Sequence, residues 1–349
     1  MRMKIDLEKR INKILSVLDD ADSRKITVFG DFCLDKYMYT DPLRDEISVE
    51  TGLTAYQVDR IKCFPGVGGT ITNNLRSLGA QVQSVGLVGD DGEGYDLLKA
   101  LRKTGVDTDL MICSDSVMTS TYTKRMRKTS DNEYVEMKRI DIRNFKEKPK
   151  ELEDKLLANL KEALTDSHGV IVTDQYPESS FATVTERIRH ELAKISACYP
   201  DKLFYADSRG FASSYRDIII KCNQFELPGI NEDAQNEESI IACGKKLLAV
   251  NNKAVVVTMG AKGAYVFECD QVEHIPAFPV TGPLDITGAG DAMNAGIMLG
   301  LTLGLTLQEA VTLGNCIASI TIEQIGVTGT SSPEQLKNRL PHCYTLKDN

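Results

Sequence analysis

Seven consecutive residues combine small side chains with acids: Asp285-Ile286-Thr287-Gly288-Ala289-Gly290-Asp291. An apolar, helix-permissive run follows, from Ala292 to Leu299. Small residues let the backbone turn tightly into a helix, whose first turn has N–H groups without intrahelical partners. Those groups and the positive end of the helix dipole attract anions. A carboxylate in the same turn, Asp291, suits a general base that deprotonates a hydroxyl as it attacks a phosphoryl group. The backbone N–H groups of Gly288, Ala289 and Gly290 would hold the transferring group and stabilise its developing charge. A glycine-rich turn with an acidic N-cap accounts for the same residues without any chemistry.

Four other places carry candidate chemistry. Asn223 and Glu226 follow the apolar strand Ile218-Ile219-Ile220. A carboxylate at the C-terminal end of a strand can orient Mg²⁺, often through water, because that ion dehydrates reluctantly. The structural alternative is that Glu226 caps a nearby helix. Asp35 lies just past the first strand, and its carboxylate can accept two hydrogen bonds. Asp31, four residues earlier, is a candidate cap of the turn. The run Gly66-Val67-Gly68-Gly69 lets backbone approach a ligand closely, although it does not open a complete dinucleotide fingerprint. The densest basic run is Lys124-Arg125-Met126-Arg127-Lys128. Strand alternation puts Arg125 and Arg127 on one face and Lys124 on the other. With the two arginines in the cleft, an anionic substrate would be favoured. The structural alternative is a charged, solvated edge strand.

Composition narrows the class. The chain has 349 residues, 42% of them hydrophobic, enough for one large domain or two small ones. A net charge of -9 argues against a nucleic-acid surface. No stretch is long enough to span a membrane, and the first residues lack the apolar core of a signal peptide. The nine cysteines are scattered, without C-x-x-C spacing, which suits free thiols in a reducing cytoplasm. The histidines, His168, His190, His274 and His342, do not cluster with them, so zinc is not expected.

These residues need a frame, and the periodicities provide one. Leu7, Ile11, Ile14, Leu15 and Leu18 make residues 5–20 an amphipathic helix ahead of the first strand, Ile26 to Phe29. Packing on the body and a homodimer contact are the two readings of that helix. Helices are expected at 71–78, 95–103, 150–164, 179–196, 236–250, 291–303 and 307–323. Strands are expected at 82–88, 169–173, 202–206, 218–222 and 254–258, with a hairpin at 263–275. Alternation of strands with helices argues for a mostly parallel sheet covered on both faces. Residues 119–140 alternate like extended chain, and 36–64 read as strands outside the main sheet.

Taken in order, the motifs resemble the PfkB/ribokinase family of carbohydrate kinases. Residues 285–291 are similar to its D-T-x-G-A-G-D signature, with Ile286 as the departure. Thr27 to Asp35, Gly66 to Gly69, Leu78 to Ala80 and Val85 to Gly94 resemble its first signature region. Asn223-Gln224-Phe225-Glu226 matches N-x-x-E, and Val257 to Gly263 supplies a fourth match. The resemblance spans about residues 25–335 and implies an α/β, three-layer α/β/α domain with a small β lid. Residues 1–24 would be a helical extension and 25–340 the kinase domain, with lid segments at about 36–64 and 112–140.

The resemblance also implies roles. ATP and Mg²⁺ would be bound by Asn223, Glu226, Thr258, Gly260 and Asn315, the last beside the adenine; a buried Asn paired to backbone is the alternative for Asn315. Asp285 and Thr287 overlie a monovalent-cation loop, which raises K⁺ as a cofactor. Asp31, Asp35, Gly66, Gly68, Gly69 and Thr70 would line the sugar site. Asp207-Ser208-Arg209-Gly210 and Gly30-Asp31 through Tyr37 are most similar to the heptose-phosphate kinase branch, as are Thr123-Lys124-Arg125 and Arg139-Ile140-Asp141. This branch points to a sugar or sugar phosphate as the partner, with no nucleic acid or membrane. Two departures fall in the substrate half: Thr70 replaces an Asn, and Thr173-Asp174-Gln175-Tyr176-Pro177-Glu178 lacks the branch's lysine. A nucleoside kinase on the same fold and a non-catalytic ligand sensor are the competing readings; intact Asp291 and its glycines disfavour the sensor.

Overall fold

Val170 to Val172 is apolar at every position, and Ile26 to Phe29 is apolar apart from Thr27. Strands of that kind need cover on both faces. The computed structural model describes residues 2–231, 236–269 and 271–342, with side chains from Leu7 onward. The chain begins with α1 (Arg2–Val17), β1 (Lys25–Gly30), β2 (Phe32–Thr40), β3 (Glu46–Ile47), β4 (Thr54–Ala55), β5 (Val58–Val67) and α2 (Gly68–Ser77). It continues through β6 (Gln81–Gly89), α3 (Gly92–Lys103), β7 (Ile112–Ser114), β8 (Thr121–Lys128), β9 (Tyr134–Glu136), β10 (Ile140–Ile142) and α4 (Lys150–Ala163). Next come β11 (Gly169–Asp174), α5 (Glu186–Cys198), β12 (Leu203–Ser208), β13 (Ile219–Asn223), α6 (Glu237–Asn251) and β14 (Ala254–Thr258). The last elements are β15 (Ala264–Glu268), β16 (Gln271–Ile275), α7 (Ala289–Thr302), α8 (Leu307–Thr321) and α9 (Pro333–Arg339).

Nine strands form the main sheet in the order β16-β15-β14-β13-β12-β11-β1-β6-β7. All neighbours from β14 to β7 are parallel, and β15 and β16 add an antiparallel edge. Strand β11 is buried at every residue, and β1 at all but its first. One face packs on apolar residues of α1, α2, α3, α7, α8 and α9. The other packs on α4, α5 and α6. This is the three-layer α/β/α arrangement expected from the alternation.

The lid is a second sheet, ordered β10-β8-β2-β5, with β9 paired to β8. Strand β2 leaves the main sheet directly after β1, and β5 returns directly into α2. The lid therefore starts at Phe32, earlier than expected. Strand β7 is not part of it: Ile112–Ser114 pairs in parallel with β6 at the edge of the main sheet.

Other expectations shift for local reasons. Helix α5 begins at Glu186 rather than near 179, because Thr185 caps it by accepting the Ile188 N–H. Helix α9 was not expected, although Ser332 and Gln335 form a capping box with Pro333 in the first turn. The extension α1 packs on the body: Ile11, Ile14 and Leu18 are buried, and Lys13 pairs with Glu309 at 2.8 Å. Asp270, in the turn of the expected 263–275 hairpin, lies outside the described residues, as does Met1 of the extension. No described helix is long and apolar enough to cross a membrane.

Helices α7 and α8 touch through glycines. A Cβ on Gly314 would lie 2.9 Å from the Met293 carbonyl oxygen, and one on Gly296 would lie 2.8 Å from Gly314 Cα. Backbone atoms cannot swing away as a flexible side chain can. We expect Gly314→Ala to lower stability by about 1–3 kcal/mol, the usual cost of overpacking. The better helix propensity of alanine, about 1 kcal/mol, predicts the opposite sign. Urea denaturation of the variant decides between them, and a gain in stability would show that the two helices can separate freely.

Candidate active site

The parallel register brings the strand ends together. Gly30 pairs with Thr173, Thr173 with Asp207, Asp207 with Lys221, and Asn223 with Thr258. All but Lys221, in the middle of its short strand, lie at the C-terminal ends of their strands, the edge where open α/β sheets hold ligands. Gly30 has φ +122, and a Cβ there would meet the Thr173 carbonyl oxygen at 2.3 Å. Only glycine lets β1 pass so close to β11 while the chain turns into the lid.

Helix α7 starts at this edge. Gly288 is its N-cap, in the left-handed region with φ +78, and no side chain caps the first turn. The Ala289 N–H turns back to the Ile286 carbonyl at 3.2 Å. Of the proposed cradle amides, that one is therefore already engaged. Asp291 is partly buried in the same turn. Burial, then the nearby charge of Asp207, push its carboxyl up to about 7, while Lys221 and Arg209 oppose the rise.

Below Asp291 lies a buried polar bridge. Lys221 Nζ donates to Asp207 Oδ2 at 3.0 Å, and Asn294 Nδ2 donates to the same oxygen at 2.6 Å. The Tyr205 hydroxyl donates to Asn294 Oδ1 at 2.8 Å. Asn294 is on α7, so the bridge ties that helix to β12 and β13. A Cβ on Gly290 would sit 3.1 Å from Lys221 Nζ.

Asn223 and Glu226 form a small reciprocal box. The Asn223 N–H donates to Glu226 Oε2 at 2.9 Å, and Asn223 Oδ1 accepts from the Phe225 and Glu226 amides at 2.8 and 3.0 Å. Asn223 thereby positions Glu226, whose Oε1 lies 3.7 Å from Arg209 Nε. Burial holds the Glu226 carboxyl above its ordinary range. Thr258 is half-buried beside Asn223, and its carbonyl accepts the Gln224 N–H at 2.9 Å. Gly260 is exposed in the next turn, with φ +56. Asn315 takes the structural alternative: its amide donates to the Ile275 and Pro276 carbonyls at 3.3 and 3.1 Å. It ties α8 to the turn after β16 instead of offering those donors to an adenine.

Asp285 accepts the Thr287 and Gly326 N–H groups, both at 3.0 Å, and its own N–H donates to the Ile322 carbonyl at 2.8 Å. Burial raises its proton affinity, but these hydrogen bonds outweigh it and hold the carboxyl below its ordinary range. Asp285 and Thr287 thus close a loop between the start of α7 and the end of α8.

The substrate half differs more from expectation. Asp35 is half-buried on β2, and a Cβ on Gly66 would come 2.7 Å from its Oδ2. Burial raises its carboxyl, while Lys124 and Arg139 pull it back. Asp35 pairs in register with Tyr122, and Tyr37 with Lys124, so these four side chains share one face of the lid sheet. Lys124 Nζ donates to the Tyr37 hydroxyl at 2.8 Å. The alternation expected in this strand is present, but the arginines point the other way. Arg125 donates to the Lys138 carbonyl at the surface, and Arg127 pairs with Asp45. Lys124 is the cation beside Asp35.

Asp31 is not available to a substrate. It is fully buried, and its two oxygens accept the Gln175 and Thr183 amides at 2.9 Å each. It holds the segment between β11 and α5 in place. Gly68 and Gly69 also face protein: a Cβ would meet the Asp31 carbonyl oxygen at 2.9 Å and Pro65 Cβ at 2.2 Å, respectively. Thr70 donates its hydroxyl to the Pro65 carbonyl at 3.4 Å and is buried. Its methyl lies 3.2 Å from where a Cβ on Gly288 would be, so it touches the start of α7.

Two groups escaped the sequence reading. Lys221 carried a signal, a lysine inside an apolar strand just before N-x-x-E. Asn294 carried none, because only the packing of α7 on β12 shows its partner.

With this geometry in view, comparison with known proteins defines the class. The sequence profile of the pfkB family carbohydrate kinases matches residues 23–335. The chain belongs to that family. Among curated relatives, the bifunctional protein HldE of Bradyrhizobium diazoefficiens is 27% identical over 330 residues, covering 92% of this chain and 64% of that protein. HldE of an Enterobacter species is 29% identical over 327 residues, with coverage of 92% and 64%. The chain thus spans about two thirds of the length of these relatives. Among solved structures, Arabidopsis thaliana ribokinase with ribose and ATP superposes with a TM-score of 0.67 at 18% identity, covering 91% of this chain and 98% of that one. Escherichia coli phosphofructokinase-2 with potassium gives 0.69 at 18% identity, covering 92% and 99%. These likenesses show the ribokinase-like fold.

The contrast between the two lid-base acids is testable. Asp31→Ala should cost about 1–3 kcal/mol, because it leaves two half-buried amides without their acceptors. Asp35→Ala should barely move the melting temperature but raise the sugar KM far more than the ATP KM. Equal stability of the two variants would show that Asp31 does not hold the 175–183 segment.

Proposed function

We propose that this protein is an ATP-dependent kinase that phosphorylates a hydroxyl of a sugar or sugar phosphate. The observation that carries the reading is Asp291, partly buried in the uncapped first turn of α7, with Asp35 near enough to act on its charge. Asp35 would hold substrate hydroxyls through its two acceptor oxygens. Asp291 would take the proton of the attacking hydroxyl. The first-turn N–H groups of α7 would meet the charge that builds on the transferring phosphoryl group.

The nucleotide would lie along the same strand edge, past Asn223, Glu226, Thr258 and Gly260. The Arabidopsis ribokinase of like fold, complexed with ribose and ATP, supports ATP as the nucleotide. Mg²⁺ would be held by Glu226, chiefly through water, and would supply charge neutralisation on the phosphates. A hard-oxygen carboxylate fits that ion. K⁺ would bind at the loop closed by Asp285 and Thr287; the potassium complex of the phosphofructokinase-2 of like fold supports the choice of ion. The motif resemblance to the heptose-phosphate kinase branch and Lys124 beside Asp35 favour an anionic sugar over a neutral one.

Two experiments test the reading. In an ADP-release assay over a panel of sugars and sugar phosphates, Asp291→Asn should lower kcat by about 10²–10⁴-fold, as for loss of a general base. The base must be ionised to act, so wild-type kcat/KM should rise with pH and level off above about 7. Wild-type turnover in Asp291→Asn would refute the assignment.

The lid cation is tested with the same panel. Lys124→Ala should weaken the preference for a sugar phosphate over its free sugar by about tenfold or more, the loss of one charge-assisted contact. Arg125→Ala and Arg127→Ala should leave that preference alone. An unchanged preference in Lys124→Ala would remove the physical support for an anionic substrate.

A further inference from the structure

The bridge beneath the catalytic turn holds more charge than attaching a helix requires. Lys221 belongs to β13, whose other residues up to Cys222 are apolar. Its side chain is 6% exposed, as is that of Asp207. A neutral pair of similar shape would tie α7 down without the cost of taking two charges out of water. The ammonium sits between two things: the Asp207 carboxylate at 3.0 Å and the Gly290 turn, which carries Asp291.

We propose that Lys221 is a positioning residue for phosphoryl transfer: it balances the charge of Asp207 so that Asp291 stays ionised beside it. The proposal rests on the reading of Asp291 as the base.

Without a cation, two carboxylates in one low-dielectric site cannot both ionise easily. Asp207 from β12 and Asp35 from β2 both raise the proton affinity of Asp291. Lys221 from β13 and Arg209 after β12 lower it. Glu226, beyond β13, also faces Lys221. Lys221 itself stays charged: burial disfavours its ammonium, but Asp207 and the neighbouring acids outweigh burial. Arg209 is 58% exposed and screened by water, so Lys221 is the cation that acts at full strength. Asn294 couples the same carboxylate to α7 and fixes the distance over which the balance works.

The test reads the proton on Asp291 directly and needs no identified sugar. Protein labelled with ¹³C at aspartate carboxyls is titrated by NMR, with the Asp291 signal assigned by its loss in Asp291→Asn. Lys221→Met should raise the Asp291 midpoint by about one pH unit or more, a tenfold gain in proton affinity. Asp207→Asn should lower it. The double variant should return close to wild type, because both charges are gone. A merely structural bridge would not give opposite shifts with mutual rescue. An unmoved midpoint in Lys221→Met, or shifts of the same sign in both single variants, would overturn the proposal. Should Lys221→Met fail to fold, Asp207→Asn and the double variant still decide it, since a midpoint that does not fall in Asp207→Asn is equally fatal. Full turnover in Asp291→Asn would instead sink the base assignment and leave the titration standing.

Discussion

The site depends on how the start of α7 is held at the edge of the sheet. No side chain caps the first turn of that helix, so it is not fixed at its N-terminus. It is fixed from below instead, by Asn294 on Asp207, and from behind, by the glycine contact with α8. Both anchors are buried and close. Each leaves the N–H groups and Asp291 facing the edge where the parallel strands end.

The lid follows from the same edge. Strand β2 grows out of β1 through Gly30 and Asp31, so Asp35 arrives a few residues beyond the sheet. Asp31 fastens the opposite wall by taking the 175 and 183 amides. Two acids four residues apart thus divide the work: one is buried and holds backbone, the other is half-buried beside Lys124. The nucleotide half shows a similar division, with Asn223 shaping the turn that presents Glu226.

Strain and close contact mark the substrate half as this chain's own. Val67 stands at φ 55 and ψ -114, a backbone region that β-branched residues avoid, at the point where β5 turns into α2. Thr70, one helical turn on, uses its hydroxyl on Pro65 and presses its methyl toward Gly288. Both lie where the sequence departs from the branch it most resembles.

Some of this was legible in the residues alone. Largely apolar runs at 26–29 and 169–173 announce strands buried on both faces, and small residues before Asp291 announce an uncapped helix start. Such patterns are local, because each depends only on the period of the backbone and the size of neighbouring side chains. Tertiary structure decided the rest. Alternation in β8 could show that Lys124 and Arg125 face opposite ways, but only the pairing with β2 showed which one meets Asp35. Asp31 and Asp35 look alike in sequence, and burial under the 175–183 segment separates their roles. Asn315 could have met a nucleotide or a backbone carbonyl, and the packing of α8 on the end of β16 chose the carbonyl. Lys221, Asp207 and Asn294 are far apart in sequence and meet only because parallel pairing sets two strand ends side by side beneath one helix. A side chain's type comes from sequence, but its partner comes from the fold, and in a buried site the partner sets the chemistry.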